Sequence, residues 1–225
     1  MKVMDDGEEL DGIDSGDFTL DKVDKGMKLF FKLMVLGAFI SLLAGCSTYR
    51  YAAKDYDQYL VNNSSNDKLQ KTTVEADYLL TKETTGHRYT FRSFDVGYEN
   101  VWVVEFGKML ESSLQSQDVR DSFWRLTKHT SSGTNGYLIV FDLKKYEFVD
   151  YEARVTIHIS VSVNGKRLFD KDYRTVGKAR GGKIFIGGVL AMKNSIQELT
   201  ERAIDELMNE FITDVNKNGI ADVRL

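Results

Sequence analysis

From Ala153 to Val163 every second residue is apolar. Ala153, Val155, Ile157, Ile159, Val161 and Val163 alternate with Arg154, Thr156, His158, Ser160 and Ser162. A period of two puts one set on each face of an extended chain, so the run predicts a strand with one dry and one wet face. Asn164-Gly165 follows, the pair that supplies the φ > 0 residues of a tight hairpin, and Leu168 to Thr175 reads as the returning strand. A two-residue turn would set Val161 opposite Leu168. A three-residue turn with a bulge would set it opposite Phe169. The choice decides which face the returning strand presents. A sheet of this kind must bury its dry face under another layer.

Two segments can supply that layer. Val103, Phe106, Leu110 and Leu114 recur at three- and four-residue steps and predict a helix over Asn100–Ser116. Ile196, Leu199, Ala203, Leu207, Phe211 and Val215 form one stripe of a final helix, with Ser195 and Glu198 spaced as a capping box. Further strands are expected in Ala76–Val96, broken at Gly86, in Phe123–Thr127 and in Tyr137–Phe148. The expected fold is α+β, a two-layer sandwich: an antiparallel sheet of about four strands covered on one face by two helices.

The chain has 225 residues and a net charge of −4. Nine acids and three lysines in residues 1–26 more than account for the imbalance, and beyond Gly45 acids and bases are equal in number. A neutral domain offers no bulk charge for a nucleic-acid partner. Cys46 is the only cysteine, which excludes an intrachain disulfide and a cysteine-based metal cluster.

Before Cys46 the chain reads as a secretory leader. Lys28 and Lys32 precede an uncharged apolar run, Leu33 to Gly45. As a helix this run spans ~20 Å, short of the ~30 Å hydrocarbon core of a bilayer. It ends in Leu43-Ala44-Gly45-Cys46, which resembles the lipobox of bacterial lipoproteins at all four positions. The resemblance implies diacylglyceryl transfer to the Cys46 sulfur, cleavage between Gly45 and Cys46, and an acylated mature terminus bearing chains such as palmitate. Two or more chains anchor stably, whereas one gives only marginal binding. Ser47, where Asp commonly retains lipoproteins in the inner membrane, implies an outer-membrane anchor with the domain facing the periplasm. In a single-membraned cell the same signal implies the outer face of the plasma membrane.

The chain thus divides into five parts. Residues 1–26 are acidic and read as a disordered extension, or as a stretch left out if translation starts at Met27. Residues 27–45 are the signal peptide, 46–73 a polar tether with a helical turn or two near Ala52–Leu60, 74–216 the α/β domain and 217–225 a tail. Lipobox, tether, element order, glycine-rich link and last helix together resemble small periplasm-facing lipoproteins over about residues 74–215. These are the auxiliary lipoproteins of ABC-type lipid transport systems and the lipoprotein partner of the outer-membrane lipopolysaccharide translocon, whose domain is similar to the N-terminal domain of the Tol-system protein TolB. That resemblance implies a non-catalytic accessory role with envelope protein partners.

Little else in the sequence carries chemistry. His87, His129 and His158 lack metal-ligand spacing, and His158 belongs to the wet face of its strand. No Gly-x-Ser-x-Gly elbow or phosphate-binding loop occurs, so no cofactor is expected. In the glycine-rich link, Ile184, Phe185 and Ile186 could touch lipid or a partner. Asp214, Asn216, Asn218, Ile220 and Asp222 follow the first nine positions of a calcium loop around Gly219, although the position of the closing acid falls on Leu225. Weak calcium binding there would suit a structural cell-surface lipoprotein.

Overall fold

The computed structural model describes residues 48–64, 69–95, 98–130, 136–178 and 188–219. Among them are eight strands and five helices. Strands β1 (Thr48–Tyr51), β3 (Tyr89–Asp95) and β4 (Tyr98–Val104) form a three-stranded sheet in the order β1-β4-β3. Strands β2 (Glu75–Leu80), β5 (Arg125–Lys128), β6 (Tyr137–Val149), β7 (Glu152–Val163) and β8 (Lys166–Lys178) form a five-stranded sheet in the order β5-β2-β6-β7-β8. The helices are α1 (Tyr56–Asn63), α2 (Lys82–Thr85), α3 (Phe106–Gln115), α4 (Gln117–Arg120) and α5 (Gly188–Lys217).

The α+β class is therefore right, but the single antiparallel sheet of about four strands is not. The β6–β7–β8 meander is antiparallel, whereas β2 pairs in parallel with both β5 and β6. The second sheet is mixed as well, with β1 parallel and β3 antiparallel to β4.

The expected helix from Asn100 begins only at Phe106. Val101-Trp102-Val103-Val104 is a continuous apolar run buried on both faces, as a central strand between two neighbours requires, and a run of that kind carries no period by which to tell strand from helix. The capping box at Ser195 is not formed either. α5 already runs through this position, and the Ser195 hydroxyl donates to the Ala191 carbonyl (2.7 Å).

The β7–β8 hairpin turns on Asn164 and Gly165, with φ of 49° and 78°. Val163 pairs with Lys166 and Ser162 with Arg167, yet Val161 pairs with Phe169. A two-residue turn is thus combined with a bulge at Leu168, which sends Phe169 inward and leaves Leu168 exposed. Strand β6 holds a second bulge. Leu143 pairs with Ile157 and Lys145 with Thr156, so Lys144 is the extra residue. Buried positions shift from odd (Tyr137, Ile139, Phe141, Leu143) to even (Tyr146, Phe148) across it. The backbone released there is met by the buried Thr84 of α2. Its hydroxyl accepts from the Leu143 N–H (2.7 Å) and lies 3.3 Å from the Phe141 carbonyl.

Helix α5 crosses the dry face of β7 and β8, burying Ile196, Leu199, Ala203, Ile204, Leu207, Met208, Phe211, Ile212 and Val215. Its backbone meets β8 at Gly177, where any Cβ would overlap the Leu199 carbonyl. The small sheet joins the same core through Trp102, Val104, Tyr89 and Phe91, and Phe91 stacks on Phe148 at 5.3 Å between ring centroids.

Candidate functional site

The segment expected to be a polar tether is mostly part of the fold. Each residue of β1 is in parallel register with one of β4: Thr48 with Asn100, Tyr49 with Val101, Arg50 with Trp102 and Tyr51 with Val103. The chain then turns inward. Ala52 and Tyr56 are buried, and Ala52 donates its N–H to the Val103 carbonyl (2.9 Å). Asp55, at φ 62°, opens α1. Buried Gln197 of α5 reaches across and donates its amide to the carbonyls of Ala52 (2.9 Å) and Lys54 (3.2 Å). Lys193 on the same helix pairs with Asp55 at 3.2 Å. The correction has a clear cause. Thr48–Tyr51 is an edge strand with all four residues exposed, so it lacks the apolar alternation by which strands are recognised. Tyr56 docks on the domain, where it lies against Ser113 (3.3 Å between hydroxyls) and stacks on Tyr59. Burial holds the Tyr56 phenol protonated far above its ordinary range.

Gly45 and Cys46, the expected cleavage and lipidation residues, lie outside the described residues, as do Ile184, Phe185 and Ile186. Ser47 alone separates Cys46 from β1. No helix among the described residues is long and apolar enough to cross a membrane.

The expected calcium loop is not a loop where it can be followed. Asp214 and Asn216 belong to α5, which continues to Lys217, and positions two apart on a helix point to different sides. Each polar group is otherwise engaged. Asp214 accepts from the Lys171 ammonium (2.6 Å) and the Tyr173 hydroxyl (2.9 Å). Burial would raise the Asp214 carboxyl, but these two bonds and the charge of Lys171 hold it below the usual carboxylate value. Asn216 donates to the Lys71 carbonyl (3.0 Å) and Asn218 to the Asp214 carbonyl (2.7 Å). Ile220 and Asp222 lie outside the described residues.

His158, expected on the wet face, is there but engaged. Its Nδ1 lies 2.7 Å from Asp172 and its Nε2 2.9 Å from Asp170, both on the neighbouring strand β8. A wide groove of about 1390 Å³ runs along the outer side of α5, lined by Tyr59, Arg174, Lys178, Glu198, Glu201 and Arg202. Much of its charge is internally matched. Arg202 donates to Glu198 (2.5 Å) and to the Lys178 carbonyl (2.6 Å), and Tyr59 donates to Glu201 (2.9 Å).

No protein-family model matches the chain. No curated protein is significantly similar to it. Among solved structures, protein XCC0632 from Xanthomonas campestris, of family DUF330, matches with a TM-score of 0.44 and 10% identity over 71% of this chain and 93% of that one. No residue role is carried over from it. The functional feature that the sequence did not announce is thus the fixed attachment of β1.

Proposed function

We propose that this chain is a lipid-anchored, non-catalytic accessory lipoprotein of a bacterial envelope transport or assembly complex. Acylated Cys46 holds it to the periplasmic leaflet of the outer membrane, and its domain binds protein partners from the periplasm. The observation that carries this reading is the four-residue match Leu43-Ala44-Gly45-Cys46 at the end of an apolar run too short to span a bilayer. Three features support it: a positive flank at Lys28 and Lys32, a neutral chain beyond the leader, and a folded region that starts just after the proposed lipid-bearing residue.

The test is replacement of the anchor. In cells given labelled palmitate, the wild-type chain is expected to take up label and to sediment with membranes. Cys46→Ser is expected to take up no label and to accumulate as uncleaved precursor, which its retained apolar leader keeps with the membranes. Membrane association of an unlabelled wild-type chain would overturn the anchor. In-cell crosslinking that recovers no envelope protein would remove the accessory role while leaving the anchor in place.

A further inference from the structure

We infer that the outer face of the three-stranded sheet, presented by Tyr49 and Tyr51, lies against the headgroup layer of the bilayer that holds the anchor. This rests on the lipid anchor proposed above and adds to it an orientation. Residues in register share a face, so Tyr49 stands beside Val101 and Tyr51 beside Val103. Across β4 the same face carries Arg92 and Thr90. The opposite face, with Trp102 and Val104, is committed to the core. Val101 and Val103 are buried yet stand outside that core cluster. Tyr49 and Tyr51 are 62% and 45% exposed above them. A tyrosine pairs an apolar ring with a polar tip and is enriched where one end of a side chain is dry and the other wet.

Chain length decides the occupant. From Cys46 to Thr48 there are two peptide units, a reach of at most ~7 Å, and to Tyr49 at most ~11 Å. The polar headgroup layer is itself roughly 5–7 Å deep on each side of the hydrocarbon. A lipid on Cys46 therefore brings β1 to the membrane surface whatever the conformation of Ser47. The strand cannot swing away by itself, because β4 pairs with it and Gln197 of α5 holds the turn that follows. Docking this face removes aromatic surface from water and leaves the wet face of the five-stranded sheet and the α5 groove for other contacts.

The experiment uses the full chain, purified lipidated from membranes and placed in vesicles of phosphatidylethanolamine and phosphatidylglycerol. Cys46 is the only native cysteine, and its sulfur is consumed by the lipid. A spin label can therefore be placed selectively at Tyr49→Cys, Tyr51→Cys, or Trp124→Cys beside the edge strand β5 of the other sheet, where the native side chain is 77% exposed. Collision with a water-soluble nickel chelate is expected to be severalfold lower at positions 49 and 51 than at 124, and collision with oxygen higher. Equal collision rates at all three positions, in protein that floats with the vesicles, would overturn the orientation and leave the anchor standing. Protein that carries no fatty acid and does not float would overturn both.

Discussion

His87 sits in an aromatic setting, edge-on to Phe106 and Tyr146 at 6.4 and 6.2 Å between ring centroids. Its buried Nδ1 finds no hydrogen-bond partner among the described residues, and burial lowers its pKa below 6.5. The folded state therefore takes up the proton less readily than the unfolded chain. Stability is full above about 6.5 and falls as pH drops from there toward the lower folded value. His87→Phe removes this contribution. Urea unfolding is expected to show wild type losing stability relative to the variant between pH 7 and pH 5, whereas parallel curves would refute the assignment. Thr84 makes a different kind of demand. Thr84→Val keeps the shape but strips the hydroxyl from the Leu143 N–H, leaving a buried donor unmet at a cost of about 1–3 kcal/mol. A denaturation midpoint unchanged from wild type would mean that the β6 bulge is satisfied in another way.

Among elements, the contact of α5 with β8 is the least forgiving. Gly177→Ala must push the helix off the strand, because the obstacle is backbone at Leu199, and a loss of about 3 kcal/mol is expected. Gly165→Ala has open space around it and suffers only from its positive φ, costing about 1 kcal/mol. Thermal denaturation of the two variants ranks them, and an equal loss would show that α5 is not held by close approach. The same elements explain what could be read from the chain. β7 was legible because one of its faces is wet and the other dry. β8 was legible as the returning strand but its inward face was not, because its inward positions are Phe169, Lys171, Tyr173, Thr175 and Gly177, a set with two polar members and a glycine. Lys171 faces inward opposite Ile159 only because its amine reaches Asp214. β4 was mistaken for a helix start because burial on both faces erases its period. The calcium-loop match rests on spacing alone, and spacing does not reveal that α5 runs on through Asp214 and Asn216 to Lys217.

For the whole molecule, the largest difference between reading and structure is one of reach. A 28-residue tether could hold a domain up to ~95 Å from its anchor, whereas the strand that starts at Thr48 leaves one residue between the fold and Cys46, the proposed lipid site. On the anchor proposed above, so short a mount would hold the domain beside the membrane, and a partner would have to come to it there. The proposed leader is read from local sequence alone, because targeting signals are recognised by cellular machinery with no tertiary context needed. The strand that sets the distance was not, because its pairing depends on residues about fifty positions further on.

That separation also orders events in time. β1 has no partner strand until β4 is available to pair with it, and a parallel pair closed over so long a loop forms late. On the anchor proposed above, the enzymes that modify and cleave at Cys46 would therefore meet a chain whose β1 is still unpaired. Maturation is thus expected to run ahead of folding. A pulse-chase of Val103→Pro, which breaks the β4 ladder, should show the precursor trimmed as fast as in wild type, and slower trimming would mean that the processing enzymes recognise the folded edge.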